Sequence, residues 1–331
     1  MEQALRIFHW RKLVIGLAAI GVIATARNAT DYMALDVPRQ LQDFMTFATS
    51  ILVESLPFIL LGIFLSVAVQ VWLPRTAITR WLPAKGWLRR LYISCFGVFL
   101  PVCECGNLPL ARGLVARGLT PAESLTFLLA APILNPITLF TTWQAFPGDF
   151  KILLARAFGA LLIANVVGWL FSKHRRQEEL LKPEFVAACR AEEKAHHHER
   201  VSHGLELFNK ELGTLLPALF IGAIIAAAVQ VLVPRDVLLS VGGSTILSIA
   251  VMMVLAFVVA ICSNVDAFFA LAFSNTFSVG SIVSFLVFGP MIDIKMLSLM
   301  RTTYTAKTLG LVTALVTLFS LAIGLGVNYA F

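Results

Sequence analysis

Residues 56–75, LPFILLGIFLSVAVQVWLPR, return as residues 216–235, LPALFIGAIIAAAVQVLVPR, at a constant offset of 160. Nine of the twenty positions are identical: Leu56/Leu216, Pro57/Pro217, Gly62/Gly222, Ala68/Ala228, Val69/Val229, Gln70/Gln230, Val71/Val231, Pro74/Pro234 and Arg75/Arg235. Apolar composition alone would not put Pro, Gly, Gln and Pro-Arg in register. Weaker correspondences follow. Cys103-Glu104 aligns with Cys262-Ser263, Pro132-x-x-Asn135 with Pro290-x-x-Asp293, and Phe127 and Phe285 keep the same spacing before those prolines. Each half therefore reads as a span, a hairpin, a proline-broken span and a span.

The rest of the chain makes these units membrane-sized. Hydrophobic residues make up 58% of the 331 and charged residues 14%, with mean hydropathy +0.84. A soluble domain carries about 25% charged residues, so this chain has too little charge to coat a water-facing surface. A bilayer span needs roughly 20 mainly apolar residues, and such stretches recur throughout. The net charge of +7 sits mainly beside apolar segments, where basic residues set orientation, and no nucleic-acid partner is expected.

Spans are expected at 10–27, 44–73, 121–146, 152–171, 212–233, 280–300 and 308–329. Arg75, Arg80, Lys85, Arg89 and Arg90 crowd a stretch with no acidic residue, which places 74–91 in the cytoplasm. The N-terminus is then cytoplasmic and the C-terminus outside. Arg6, Arg11 and Lys12 precede an apolar run ending in Ala24-Thr25-Ala26. That pattern resembles a signal peptide, and a retained signal anchor is the expected form. Between Tyr92 and Arg117 neither apolar arm is long enough to cross, so a re-entrant hairpin is expected, its non-helical tip at Cys103-Glu104-Cys105-Gly106-Asn107. A second hairpin is expected at 245–277 around Cys262-Ser263-Asn264. The fold class is thus an all-α integral membrane protein of two inverted-topology repeats, each with a re-entrant hairpin and a Pro-broken helix. The units are 1–43 (anchor span and outside loop), 44–171 (first repeat), 172–210 (charged cytoplasmic loop) and 211–331 (second repeat). Inverted repeats with interrupted helices are a recurring transporter design, with the substrate site near the midplane.

Five cysteines, Cys95, Cys103, Cys105, Cys189 and Cys262, form no disulfide framework at these spacings. Cys103 and Cys105 can present two sulfurs to one soft centre, a metal or metalloid, because thiolates favour soft ions over hard ones. Glu104 is a carboxylate at membrane depth, expensive there and so a functional candidate; Gly106 allows a tight or left-handed turn, and Asn107 completes the cluster. In the second half Cys262, Asn264 and Asp266 take the corresponding places, with Asp266 the counterpart carboxylate to Glu104. Asn135 and Asp293 follow prolines that free backbone carbonyls, so both are expected to line a polar cavity. Glu54, in the second span, is a candidate proton relay or an interfacial residue. His196, His197, His198 and His203 sit among charged residues, and a solvated segment is expected there rather than a metal site. Nothing matches a phosphate-cradling Gly-x-x-x-x-Gly-Lys loop, a dinucleotide fingerprint or a His-Glu-x-x-His site, so no cofactor is expected.

The stretches Pro101-Val102-Cys103-Glu104-Cys105-Gly106-Asn107-Leu108-Pro109-Leu110-Ala111-Arg112-Gly113-Leu114 and Phe127-Leu128-Leu129-Ala130-Ala131-Pro132-Ile133-Leu134-Asn135-Pro136 resemble the family of predicted permeases that includes the organoarsenical efflux permease ArsP. That resemblance implies a multi-pass cytoplasmic-membrane permease, with efflux of trivalent methylated arsenicals in some members. Glu104 stands where the resemblance leads one to expect a small residue such as Ser. The leading expectation is a secondary transporter and not an enzyme, exporting a small soft ion or metalloid through a midplane site. The residues alone leave two other classes open: a membrane-embedded thiol redox enzyme using Cys103 and Cys105, and a membrane subunit of a larger complex. The expected partners are the lipid bilayer and the small substrate, with a homo-oligomer or a partner membrane subunit as the assemblies left open.

Overall fold

In a computed structural model the structure describes residues 38–74, 82–99, 102–194, 200–232 and 245–330. The expected first span at 10–27, together with Arg75, Arg80, Pro101, His196 to His198, Pro234 and Arg235, lies outside them. Apart from one isolated bridge between Leu181 and Tyr304, the described elements are helical. In chain order they are α1 (Arg39–Trp72), α2 (Gly86–Ser94), a 3-10 turn (Cys95–Phe99), α3 (Glu104–Ala116), α4 (Pro121–Leu134), α5 (Pro136–Ala145) and α6 (Phe150–Ser172). A second 3-10 turn (Gln177–Leu180) and α7 (Pro183–Lys194) lead to α8 (Arg200–Leu232). The chain closes with α9 (Thr245–Val259), α10 (Asp266–Leu271), α11 (Val279–Met291), α12 (Ile294–Met300) and α13 (Ala306–Ala330).

Among the described residues five helical stretches are long and apolar enough to cross a bilayer, α1, α6, α8, Val279–Met300 and α13; α4 with α5 makes a sixth if that bent pair is one span. α1 and α8 are longer than the expected spans. At about 1.5 Å per residue each runs to roughly 50 Å, so α8 begins ten residues inside the stretch read as a charged loop, and both tolerate an internal proline, Pro57 and Pro217.

Local chemistry sets the breaks. Thr120 and Glu123 form a capping box with Pro121 at the first helical position, the combination that starts a helix cleanly. Helices α4 and α5 are bent by 41° at Asn135, which is extended (φ −60, ψ 132) because the residue before a proline is pushed out of the α region. Its Oδ1 then accepts from Ile137 N at 2.9 Å, capping α5. In the other half no proline follows the break. There Asp293 caps α12 by accepting from Met296 N at 2.5 Å, two residues after α11 ends.

Packing gives the molecule two distinct ends. At one, Arg89 of α2 pairs with Glu123 of α4 at 2.6 Å, Arg112 of α3 with Glu211 of α8 at 2.7 Å, and Tyr304 donates to Ser124 at 2.8 Å. Here Lys182 N also donates to Thr303 O, docking the middle segment on the α12–α13 turn. At the opposite end Ser248 of α9 lies 2.7 Å from Ser281 of α11, and Asn328 of α13 accepts from Gly280 N. Among the five long stretches the broken span α11–α12 is the most enclosed, with 78% of its apolar stretch buried against 28% for α13, and α4 is buried along its whole length. Large apolar side chains such as Phe64, Phe158, Ile221 and Leu318 face outward.

Candidate functional site

Two short non-helical segments, one from each half, meet in the middle. In the first, Val102 and Cys103 are extended, and Cys103 is the N-cap of α3. This corrects the expectation of a non-helical tip over 103–107: Glu104 to Asn107 form the first helical turn, with Gly106 N and Asn107 N bonding Cys103 O. Gly106 is not there for a left-handed turn, since that region is occupied by Gly118 and Gly148. It is there for close approach. A Cβ on Gly106 would fall 2.5 Å from the Phe58 carbonyl oxygen, and one on Gly62 would fall 2.2 Å from that of Gly106. Helix α3 is thereby pressed backbone to backbone against α1. In the second segment Ala260 takes a positive φ of 50°, and Cys262 O accepts from Val265 N and Asp266 N to open the short α10.

The meeting point is polar, sulfur-rich and buried. Cys103, Glu104, Cys105, Cys262 and Lys295 are each 3% exposed or less. Glu104 Oε1 accepts from Lys295 Nζ at 3.1 Å, and its Oε2 accepts from Ser263 Oγ at 3.1 Å and lies 3.8 Å from Cys262 Sγ. One ligand atom from each of Cys103, Glu104 and Cys262 lies within 4.8 Å of the others, and the Cys103 thiol contacts those of both Cys105 and Cys262. The pair expected to present sulfur, Cys103 and Cys105, is thus joined by a third thiol from the other half. Cys105 itself lies outside the group of three. Glu54, half-buried on α1, lies within electrostatic reach of Lys295, Glu104 and Cys262. It reaches the same centre from the side. A set of two thiols and a carboxylate within mutual reach can close around one soft ion or metalloid.

The remaining expected residues brace this centre. Asn107 Nδ2 and Asn135 Nδ2 both donate to Val102 O, at 3.4 and 3.1 Å, fixing the segment just before Cys103. Asn264 accepts from Thr138 of α5 at 3.1 Å. Asp293 caps α12, two residues before Lys295. Asp266, expected as the counterpart of Glu104, instead pairs with Arg156 of α6 at 2.6 Å, while Arg156 also donates to Thr142 at 2.7 Å. Both members of that pair are buried. Single side-chain oxygens of Asn107, Asp266 and Asp293 stay without a partner among the described residues, and His203 Nε2 is held 2.5 Å from Glu192.

Sequence reading overlooked Lys295, Arg156 and Ser263 as site residues. For the two cations the signal was available: each is a charge inside an apolar run, and the rule that makes an intramembrane carboxylate a functional candidate applies equally to Lys and Arg. Ser263 carried no such signal.

Comparisons with known proteins bear on the family of the chain. A family model described as a predicted permease matches residues 40–329. The chain is 39% identical over 268 residues to UPF0718 protein YcgR of Bacillus subtilis (strain 168), covering 78% of this chain and 87% of that protein. It is 33% identical over 273 residues, 82% of this chain and 90% of the relative, to a Streptococcus mutans protein named "Putative two-component membrane permease complex subunit". No solved structure matches. With a family match over nearly the whole chain and several apolar spans, the protein is a multi-pass membrane protein that belongs to this predicted permease family.

Proposed function

We propose that the chain is a secondary permease of the cell membrane that exports a small soft species, a metalloid or soft metal ion such as a trivalent arsenical. The cargo binds at the midplane between two inverted repeats. The observation that carries this reading is the meeting of Cys103 and Glu104 with Cys262, donors from separate halves, inside the bundle. Thiols converging from two halves hold a soft cargo only while those halves stay together, so the cargo is bound by the part of the molecule that must rearrange to release it.

Helix packing supports the inverted repeat. α1 packs on α8, and Gly204 near the start of α8 lies beside Val67 and Val71 near the end of α1, so the two repeat-related helices run antiparallel. The pairs α4 with α6 and α2 with α4 have their counterparts in α11 with α13 and α9 with α11. Across the halves, α3 packs on α12 as α5 packs on α10. The segments 86–116 and 245–278 serve as re-entrant hairpins from opposite faces, the first from the cytoplasm. The N-terminus is then cytoplasmic and the C-terminus outside. The name of the Streptococcus mutans relative favours one further element, a partner membrane subunit working with this chain.

Everted membrane vesicles test the reading. ATP-independent uptake of a trivalent organoarsenical or Cd²⁺ should fall about tenfold or more with Cys103→Ser or Cys262→Ser, the loss of one soft donor. Cys95→Ser and Cys189→Ser should leave it intact. Unchanged uptake in both site variants sinks the soft-cargo reading.

A further inference from the structure

The three-donor group holds one hard donor, Glu104, beside two sulfurs, and each oxygen of that carboxylate already accepts a hydrogen bond. Lys295 Nζ holds Oε1 at 3.1 Å, while Ser263 Oγ donates to Oε2 at 3.1 Å and Ser263 N approaches it at 3.5 Å. Both charged side chains are about as buried as any in the molecule, each 1% exposed. We infer that Lys295 is the residue that sets cargo specificity: it occupies Glu104 as a built-in cation, so that within the group of three the two thiols are what is left for cargo. This rests on the soft-cargo reading above.

The chemistry runs as follows. A hard cation such as Mn²⁺ binds through carboxylate and carbonyl oxygens, so it would have to displace the ammonium and would meet a positive charge while doing so. A soft centre bonds to the sulfurs of Cys103 and Cys262 as each thiol gives up its proton, to water for a metal ion or to the departing hydroxide for a trivalent arsenical, and it leaves the Glu104–Lys295 pair in place. The ammonium is held where this requires. Asp293 caps the helix two residues ahead of it. Gly222 lets α8 come so close that a Cβ there would lie 3.2 Å from Lys295 Cα. Lys295 Nζ also reaches toward Ala260 O at 3.5 Å, tying it to the second non-helical segment. A buried ion pair is weak evidence of stabilisation, because desolvation offsets the attraction. Specificity gives the pair a role that stability does not.

The test is equilibrium binding of Cd²⁺ and Mn²⁺ to the full chain in lipid nanodiscs. Wild type should bind Cd²⁺ and resist competition by Mn²⁺. Lys295→Met should raise Mn²⁺ affinity about tenfold or more, the scale of one charge-assisted hydrogen bond, and Lys295→Arg should keep Mn²⁺ out. Lys295→Met with Glu104→Gln should lose the Mn²⁺ gain. No Mn²⁺ gain in folded Lys295→Met, or an equal gain in Lys295→Arg, overturns the inference. If Lys295→Met does not fold, Lys295→Gln takes its place, and the absence of a Mn²⁺ gain there overturns the inference equally. Wild type that binds no Cd²⁺ overturns the soft-cargo reading instead.

Discussion

The two non-helical segments at the centre occupy corresponding places in the repeat, yet they are held by different forces. The first, before Cys103, leads into a thirteen-residue helix pressed against α1 through Gly62 and Gly106. The second, around Cys262, leads into a helix of six residues, too short for comparable packing, and is tethered by the Asp266–Arg156 ion pair. Their chemistry differs in a complementary way. The first brings the carboxylate, and the second brings the hydroxyl that bonds it.

The largest effect should come from cutting the second loop's tether. Arg156→Met leaves Asp266 charged and buried without a partner, and breaking such a pair costs about 3–5 kcal/mol. Unfolding midpoints in detergent should drop accordingly, and adding Asp266→Asn should recover a large part. If Arg156→Met is neutral, the second loop is held by packing after all.

Next in size is the first loop's backbone contact. Gly62→Ala must push α3 off α1, at a cost of about 1–3 kcal/mol typical of overpacking, read by the same unfolding measurement. Gly222→Ala should cost less, because its nearest neighbour is the Ser298 Cβ at 2.9 Å and not a carbonyl oxygen at 2.2 Å. Equal losses at the two glycines would erase the distinction between the halves.

The smallest effect belongs to the helix breaks. Asn135→Ala and Asp293→Ala each remove a cap, usually worth about 0.5–2 kcal/mol. Asn135→Ala should be the worse, since it also releases the Val102 carbonyl and with it the segment before Cys103. The reverse order would show that Asp293 matters more through Lys295 than as a cap.

Much of the architecture was legible because bilayer physics writes itself into sequence. The apolar runs follow from the thickness of the bilayer, and the break at Asn135 follows from the restriction that a proline puts on the residue before it. Boundaries were less legible. Helix α8 starts at Arg200 because charged residues are compatible with a helix that continues beyond the apolar run. Gly106 was misread because a glycine needed for close approach and one needed for a turn look alike until the neighbouring helix is known.

At the site, the sequence by itself determined the candidate donors: cysteines and a carboxylate in apolar surroundings are costly and stand out. Only the tertiary structure decided how they group, bringing Cys262 to Cys103 and Glu104 to Lys295 across 191 positions, and sending Asp266 to Arg156 instead. Burial cost is local and can be read residue by residue. The partner that offsets it comes from a distant helix, and its position depends on how the two halves pack.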